Sequence, residues 1–360
     1  MNIKRELKNF KKRLDRELMA FFEEEKKKAE KVDKTAAWLV ERLAEFTLRG
    51  GKRLRPAFLF WGYKACGGKE EKELRKICLA AELTESWILI LDDLMDKDKV
   101  RRGGPTVHVL FEKEAKKLGI IDRKHFGMVG AILVSLLGMQ MVDRLIIESA
   151  FEEGKRLLVL NKLKGALTGT FFGQMMDVVE SKRSKNFSEK MIKKIAEYKT
   201  AKYTVELPLV LGGILAGKKE RELKFFEKYG KHLGGAFQIK DDILGVFGEI
   251  GRTGKSVLSD MREGKRTLLA LKTLKELRIK NDELRINKFK KIWGKKEVGM
   301  KELGWVRKTM EEVGGLGYAK KRAKGLAFLA TETVRKEKSL KREGKEFLVA
   351  VADFVVEREF

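Results

Sequence analysis

Two groups of aspartates, each entered from an apolar run and followed by bases, constrain this chain more than any other feature. The first is Asp92, Asp93 and Asp96 in LDDLMDKDKVRRGGPTVH (91–108). The second is Asp241 and Asp242 in FQIKDDILGVFG (237–248), followed by GKSVLSDMREGKRT (254–267). On a helix, residues three and four apart share a face, so the spacing aims the first three carboxylates at one patch. Like charges placed that way repel, and a chain that does this twice beside apolar sequence implies a cation. Oxygen donors without nearby His or Cys suit Mg²⁺, which takes one or two carboxylates and completes its shell with water and substrate phosphate. The pattern predicts a magnesium–diphosphate site. An isolated acidic run is more often a solvated helix face. Here SWILIL (86–91) and GGAFQI (234–239) read as buried approaches instead.

Helical periodicity dominates the 360 residues, as in KRELKNFKKRLDRELMAFFEE near the start and EGKEFLVAVADFVVERE near the end. Strand-like alternation bounded by hairpin turns is scarce, so an all-α fold is expected. Only Pro56, Pro105 and Pro208 are present, no Ser/Gly/Pro linker divides the chain, and one domain over 1–360 is expected. The most apolar stretch, 127–142, falls short of the ~18–20 residues of a membrane span, which predicts a buried core helix and no transmembrane segment. Cys66 and Cys78 form no CxxC, and the first thirty residues are charged throughout, which points to a reducing cytoplasm. Eighty Lys and Arg against 53 Asp and Glu give a net charge of +27. The bases are interleaved with Glu along the chain and no nucleic-acid motif accompanies them, so anionic small molecules are expected as partners rather than nucleic acid, with peripheral membrane contact left open. Abundant Lys, Arg and Glu beside three Gln and six Asn suggest a heat-loving source.

A further basic motif, RGGKRLRPAF (49–58), combines glycines that allow close backbone approach with Lys52, Arg53 and Arg55, cations suited to phosphate, and Pro56 at a helix start. The order GGKRLRP, DDLMD, RRGGPTVH, GQMMD, KTAKYT, FQIKDD, GKRT, over roughly residues 45–270, closely resembles the trans-isoprenyl diphosphate synthases, or polyprenyl synthetases. That resemblance implies a single-domain helical bundle around a central cavity, a homodimer, and an enzyme that condenses isopentenyl diphosphate with an allylic diphosphate. It implies two or three Mg²⁺ ions, held by Asp92, Asp93 and Asp96 on one side and by Asp241 and Asp242 from the opposite wall. It assigns Arg101, Lys199 and Lys255 to the allylic diphosphate and Lys52, Arg55 and Arg102 to isopentenyl diphosphate. Gln174 and Asp177 match the family's GQxxD, Thr200 its KT pair, Gln238 its Phe-Gln, and Lys265 its second GK. Physically, cations placed where the departing diphosphate gathers charge favour the transition state over the ground state.

The chain departs from the family pattern at Glu85, where His or Gln is usual, and at Leu91, often His. It also departs at Ser135-Leu136, in place of Gly-Asp, and at Gly245, where a third aspartate often sits. Glu85 would repel a diphosphate unless protonated or turned to a neighbouring base. Glu85 and the lost Gly-Asp motivate an alternative, a catalytically weak regulatory subunit of a heteromeric synthase. A terpene cyclase would not need GGKRLRP, and a basic membrane- or nucleic-acid-binding protein would leave the ordered aspartates unexplained. Trp87 and Ile88, five and four positions before Asp92, are expected to point roughly as the aspartates do and to floor the cavity. That stops growth at twenty carbons, with fifteen as the close alternative.

Overall fold

A computed structural model describes residues 1–182, 188–249, 257–295 and 297–358, with the side chains of 181 and 182 left aside. The all-α expectation is met: among these residues the strand content is one two-residue ladder, Val100–Arg101 against Gly104–Pro105. The helices are α1 (Ile3–Glu30), α2 (Lys34–Leu48), α3 (Leu54–Ala65), α4 (Glu71–Asp96), α5 (Val107–Lys117), α6 (Arg123–Ile147), α7 (Glu153–Lys182) and α8 (Glu189–Ala196). A π-helical segment, Glu197–Glu206, leads into α9 (Leu207–Leu215), α10 (Lys224–Phe247), α11 (Ser259–Glu263), α12 (Leu268–Ile279), α13 (Glu283–Ile292), α14 (Met300–Glu312), α15 (Gly315–Lys336) and α16 (Arg342–Glu357). Side chains that accept from the first turn fix several starts: Asp33 from Thr35 N, Asp122 from His125 N and Thr267 from Ala270 N.

The helices form two compact units, one of residues 2–60 and 68–160, the other of 61–67 and 161–360, so α3 and α7 contribute to both. In the N-terminal unit α4 packs chiefly on α6, and α6 on α5. A Cβ on Gly130 would lie 2.4 Å from the Phe111 ring, so α5 reaches α6 only because that residue is glycine. The basic first helix is a core element: Leu7, Phe10, Leu14, Leu18 and Phe22 recur at helical spacing and are buried.

The reading of 127–142 as too short to span a membrane is corrected. α6 runs 25 residues and is long and apolar enough by length and composition, with 44% of its most apolar window buried. One flank packs on α4 and α5; Met128, Val129, Ile132, Leu133 and Leu136 on the other are exposed.

In the C-terminal unit α10 is central, packed on α15, the π-helical segment and α16. Two glycines one turn apart bring the segment onto α10. A Cβ on Gly230 would lie 2.5 Å from Glu206 Cβ, and one on Gly234 2.6 Å from Ala201 Cβ. From α7, a Cβ on Gly173 would lie 2.4 Å from the Lys199 backbone nitrogen. Residues 61–65 of α3 belong to this unit through Trp61, stacked on Phe347 with centroids 4.8 Å apart.

Burial pushes the carboxyl of Glu206 up to about 7 from its ordinary 4.5; Glu227 and Glu197 add to the rise, while Lys202 and Lys231 oppose it. A raised carboxyl favours folding where it is protonated, so its contribution is full below about 4.5 and is lost as pH rises through about 7. Thermal midpoints are expected to fall between pH 5 and pH 8. Glu206→Gln, neutral throughout, should flatten that slope, and an unchanged slope in the variant would assign the effect to another group.

Candidate active site

The first aspartate cluster occupies the last turn of α4. Lys97 adopts a left-handed φ of +59°, and the N–H groups of Lys97 and Asp98 turn back to Asp93 O, which stops the helix directly after Asp96. A helix C-terminus is the negative end of the backbone dipole, so anions there are unfavourable until a cation answers them. The three carboxylates do not share one face. Asp92 and Asp96 are half-buried and one turn apart, on the same face as Glu85 and Ile88. Asp93 lies about 100° further round and is buried. It accepts from Arg101 Nε, and Arg101 Nη2 also lies 3.3 Å from Asp92 Oδ2 and 3.4 Å from Asp98 Oδ2. Burial works against the Arg101 charge, but Asp93, Asp92 and Asp98 outweigh it and hold its pKa above the ordinary value.

Arg101 and its neighbour Arg102 are sent different ways by the hairpin that sequence alternation missed. Arg102 (φ +51°) and Gly103 (φ +74°) form its two-residue turn, the left-handed pair of a type I′ connection. Arg101, on the strand, meets the aspartates. Arg102 turns to Phe46 O (3.1 Å) and Thr47 O (3.2 Å), lies over the Phe46 ring, and sits 3.5 Å from Glu82.

The GGKRLRP loop divides its cations similarly. Arg53, with a left-handed φ of +53°, is wholly buried: it donates to Glu82, to Asp15 Oδ1 at 2.8 Å and to Thr47 O at 2.8 Å. It therefore anchors the loop, while Lys52 and Arg55 remain half-buried. Gly51 is needed where both guanidinium groups approach, since its Cβ would meet Arg102 Nη2 at 3.2 Å and Arg53 Nη1 at 3.3 Å. Glu85 is turned to a base: Arg55 Nη1 lies 2.9 Å from its Oε1. Arg55 and Arg102 thus stand with Glu85 and Glu82 about two to three turns up α4 from Asp92.

The second cluster lies near the C-terminal end of α10. Asp242 is buried and accepts from Gln238 Nε2 at 2.8 Å. Burial raises its carboxyl to about 7; the Gln238 hydrogen bond and Lys265 oppose the rise, and Asp260 and Asp241 add to it. Asp260, on α11, was missed in the sequence. A Cβ on Gly245 would lie 2.0 Å from Asp260 Oδ2, so the glycine that stands where a third aspartate was looked for leaves room for a carboxylate from another helix. Lys265 Nζ lies 3.0 Å from Asp260 Oδ1, while Lys255 falls outside the described residues. Asp241 is the open member of the pair and is bonded by Arg358, which no motif announced. On the π-helical segment, Lys199 Nζ reaches Asp177 Oδ2 at 2.7 Å, with Thr200 beside it. Gln174 is buried, and its Nε2 has no partner among the described residues.

Among the described residues no three carboxylate, imidazole or thiolate groups are already gathered as a ligand set. Mg²⁺ draws one or two carboxylates from a protein and the rest of its octahedron from water and phosphate. Asp92 and Asp96 in one unit are half-buried, and the Asp241 side chain in the other is 42% exposed. Trp87 does not point as the aspartates do. It is buried toward α6, where a Cβ on Gly138 would lie 3.0 Å from its Cβ, and only Ile88 shares the Asp92 face. The reason is rotation: five residues carry Trp87 about 140° from Asp92, four carry Ile88 about 40°. Ser135 has a structural use, donating from Oγ to Trp87 O, and Leu136 lies on the exposed flank of α6.

The division of the first cluster separates two substitutions that sequence alone treats alike. Asp93→Ala leaves the buried Arg101 without its principal partner, an expected loss on the order of 3 kcal/mol. Asp92→Ala, at the half-open carboxylate, should change stability by about 1 kcal/mol or less. Melting temperatures of the two metal-free variants check this; equal losses would show that Arg101 does not depend on Asp93.

The polyprenyl synthetase family model matches residues 36–307. A geranylgeranyl diphosphate synthase from Saccharolobus solfataricus is 32% identical over 311 residues, 86% of this chain and 87% of its own. A geranylfarnesyl diphosphate synthase from Aeropyrum pernix is 31% identical, over 86% of this chain and 91% of its own. Among solved structures, geranylgeranyl pyrophosphate synthase from Corynebacterium glutamicum, complexed with isoprenyl diphosphate and magnesium, superposes with a TM-score of 0.90 at 26% identity, covering 98% of this chain and 99% of that one. The chain belongs to the polyprenyl synthetase family.

Proposed function

We propose that this protein is a short-chain trans-prenyltransferase that joins isopentenyl diphosphate to an allylic diphosphate. The observation that carries the reading is one face of α4. Asp92 and Asp96 stand at its end, and Glu85 with Arg55 stands seven residues earlier, roughly 10 Å along the axis. A metal–diphosphate station and a cationic station thus share one helix, with Ile88 between them. The reading treats both units as one catalytic domain over 1–360, because the family match runs across both.

Mg²⁺, in two or three ions, would be held by Asp92, Asp96 and Asp241 and would supply positive charge to the leaving diphosphate. Asp93 would act through Arg101, and Asp242 through Gln238 and its neighbour Asp260. Arg101, Lys199 and Lys255 would orient the allylic diphosphate while its C–O bond breaks. Lys52, Arg55 and Arg102 would orient isopentenyl diphosphate, which must take Arg55 from Glu85. Its double bond supplies the electrons of the new C–C bond, and loss of a proton restores an alkene. Ile88, Leu89 and Leu91, half-buried around the buried Ile90, would keep water from the cation. A homodimer is part of the reading, supported by the exposed apolar flank of α6 from Met128 to Leu136. So is a cytoplasmic location, supported by two buried cysteines outside any disulfide.

Purified protein with Mg²⁺, labelled isopentenyl diphosphate and each allylic primer should yield prenyl diphosphates. Asp92→Ala should lower the rate by about 10²–10³. Near-normal turnover in that variant would sink the catalytic assignment.

Product length is proposed as twenty carbons, with fifteen as the alternative, set by Ile88 on the Asp92 face, with Trp87 backing it from the α6 side. Trp87→Ala should lengthen the products while costing about 3–5 kcal/mol of stability where α6 cannot collapse onto the space. Unchanged products from a folded Trp87→Ala would put the length-setting residue elsewhere.

A further inference from the structure

We infer that Arg358 is a positioning residue for Asp241, holding one carboxylate oxygen so that the other alone is presented to a divalent cation. The inference rests on the reading of Asp241 as a metal ligand. Arg358 follows α16 and turns back onto α10 with its side chain 1% exposed. Its guanidinium lies over the Phe237 ring, 4.0 Å from the centroid. Nε donates to Val355 O at 3.1 Å, and Nη2 to Phe237 O at 3.3 Å and to Asp241 Oδ1 at 2.5 Å. Aromatic face and two carbonyls fix the fork, and the fork in turn fixes the carboxylate. The Asp241 side chain is nevertheless 42% exposed, so the closed contact is on Oδ1 and the opening is on Oδ2.

That asymmetry suits the cation. Mg²⁺ demands a near-ideal octahedron and keeps several waters, which favours one oxygen per carboxylate over chelation by both. A planar guanidinium can lie on a ring, bond carbonyls and hold an oxygen at once; an ammonium on a flexible stem cannot. The charge on Arg358 also offsets the repulsion between Asp241 and Asp242 before any metal arrives. A rival role has the opposite sign: a mere substitute counter-ion would compete with the metal, and its removal would tighten binding.

Titration of the full chain with Mn²⁺ alone, with free Mn²⁺ read by electron paramagnetic resonance, separates the roles. The component present in the unmodified protein and lost in Asp241→Ala reports this site. Arg358→Gln should weaken that component about tenfold or more, as removal of a residue that orients a metal ligand does. Unchanged or tighter binding in Arg358→Gln overturns the inference and leaves the proposed function standing. Failure of Asp241→Ala to remove any component overturns the metal assignment, and the inference with it. Should Arg358→Gln not fold by circular dichroism, Arg358→Lys decides alone: weakened binding supports positioning, and full retention shows that charge suffices and overturns it.

Discussion

Carboxylates at the negative ends of two helices are the arrangement on which the rest of the structure depends. Each is unfavourable by itself, because the backbone dipole and the neighbouring anions act in the same direction. The chain answers each with an arginine from outside the helix that carries the carboxylates. Arg101 comes off a two-residue hairpin to Asp93 and Asp92, and Arg358 comes from beyond α16 to Asp241. In both, the guanidinium is buried and tied down, and at the second the Asp241 side chain remains 42% exposed. The sites are therefore electrostatically balanced enough to fold and incomplete enough to bind.

The two clusters reach that state by different routes. The first relies on the ends of one helix and its following turn, so its parts are close in sequence. The second assembles from α10, α11 and the residue after α16, with Gln238 and Asp260 acting on the buried Asp242. Burial raises the Asp242 carboxyl to about 7, whereas Asp241 stays accessible. Adjacent residues in one motif thus differ in kind.

The helices, the aspartate pairs and the GGKRLRP cations were legible in the sequence because periodicity and local charge express them directly. What escaped reading depends on distance or on rotation. Arg358 sits in an ordinary basic–acidic tail, and nothing local marks it as the partner of Asp241. Asp260 was visible only as one acid in a mixed run, and Gly245 read as a loss until the space above it was seen to hold that acid. Trp87 was assigned a direction from nearness to Asp92 in sequence, whereas 100° per residue turns it onto α6. Arg53 was grouped with its neighbours as a phosphate cation, yet a left-handed φ rotates it into the interior.

The glycines around the π-helical segment bear on how this protein can vary. Gly173, Gly230 and Gly234 touch no charge and carry no chemistry, yet backbone or Cβ atoms of Lys199, Glu206 and Ala201 occupy the space a methyl group would need. The placement of a lysine is thereby written as three absences of side chain on two other helices. Any drift at those positions moves the amine through the backbone rather than through a contact that a second substitution could restore. In a map of tolerated changes these glycines should group with the aspartates and not with the core, and lineages of this chain should explore new primers or products by altering the walls of the site long before they alter its scaffold.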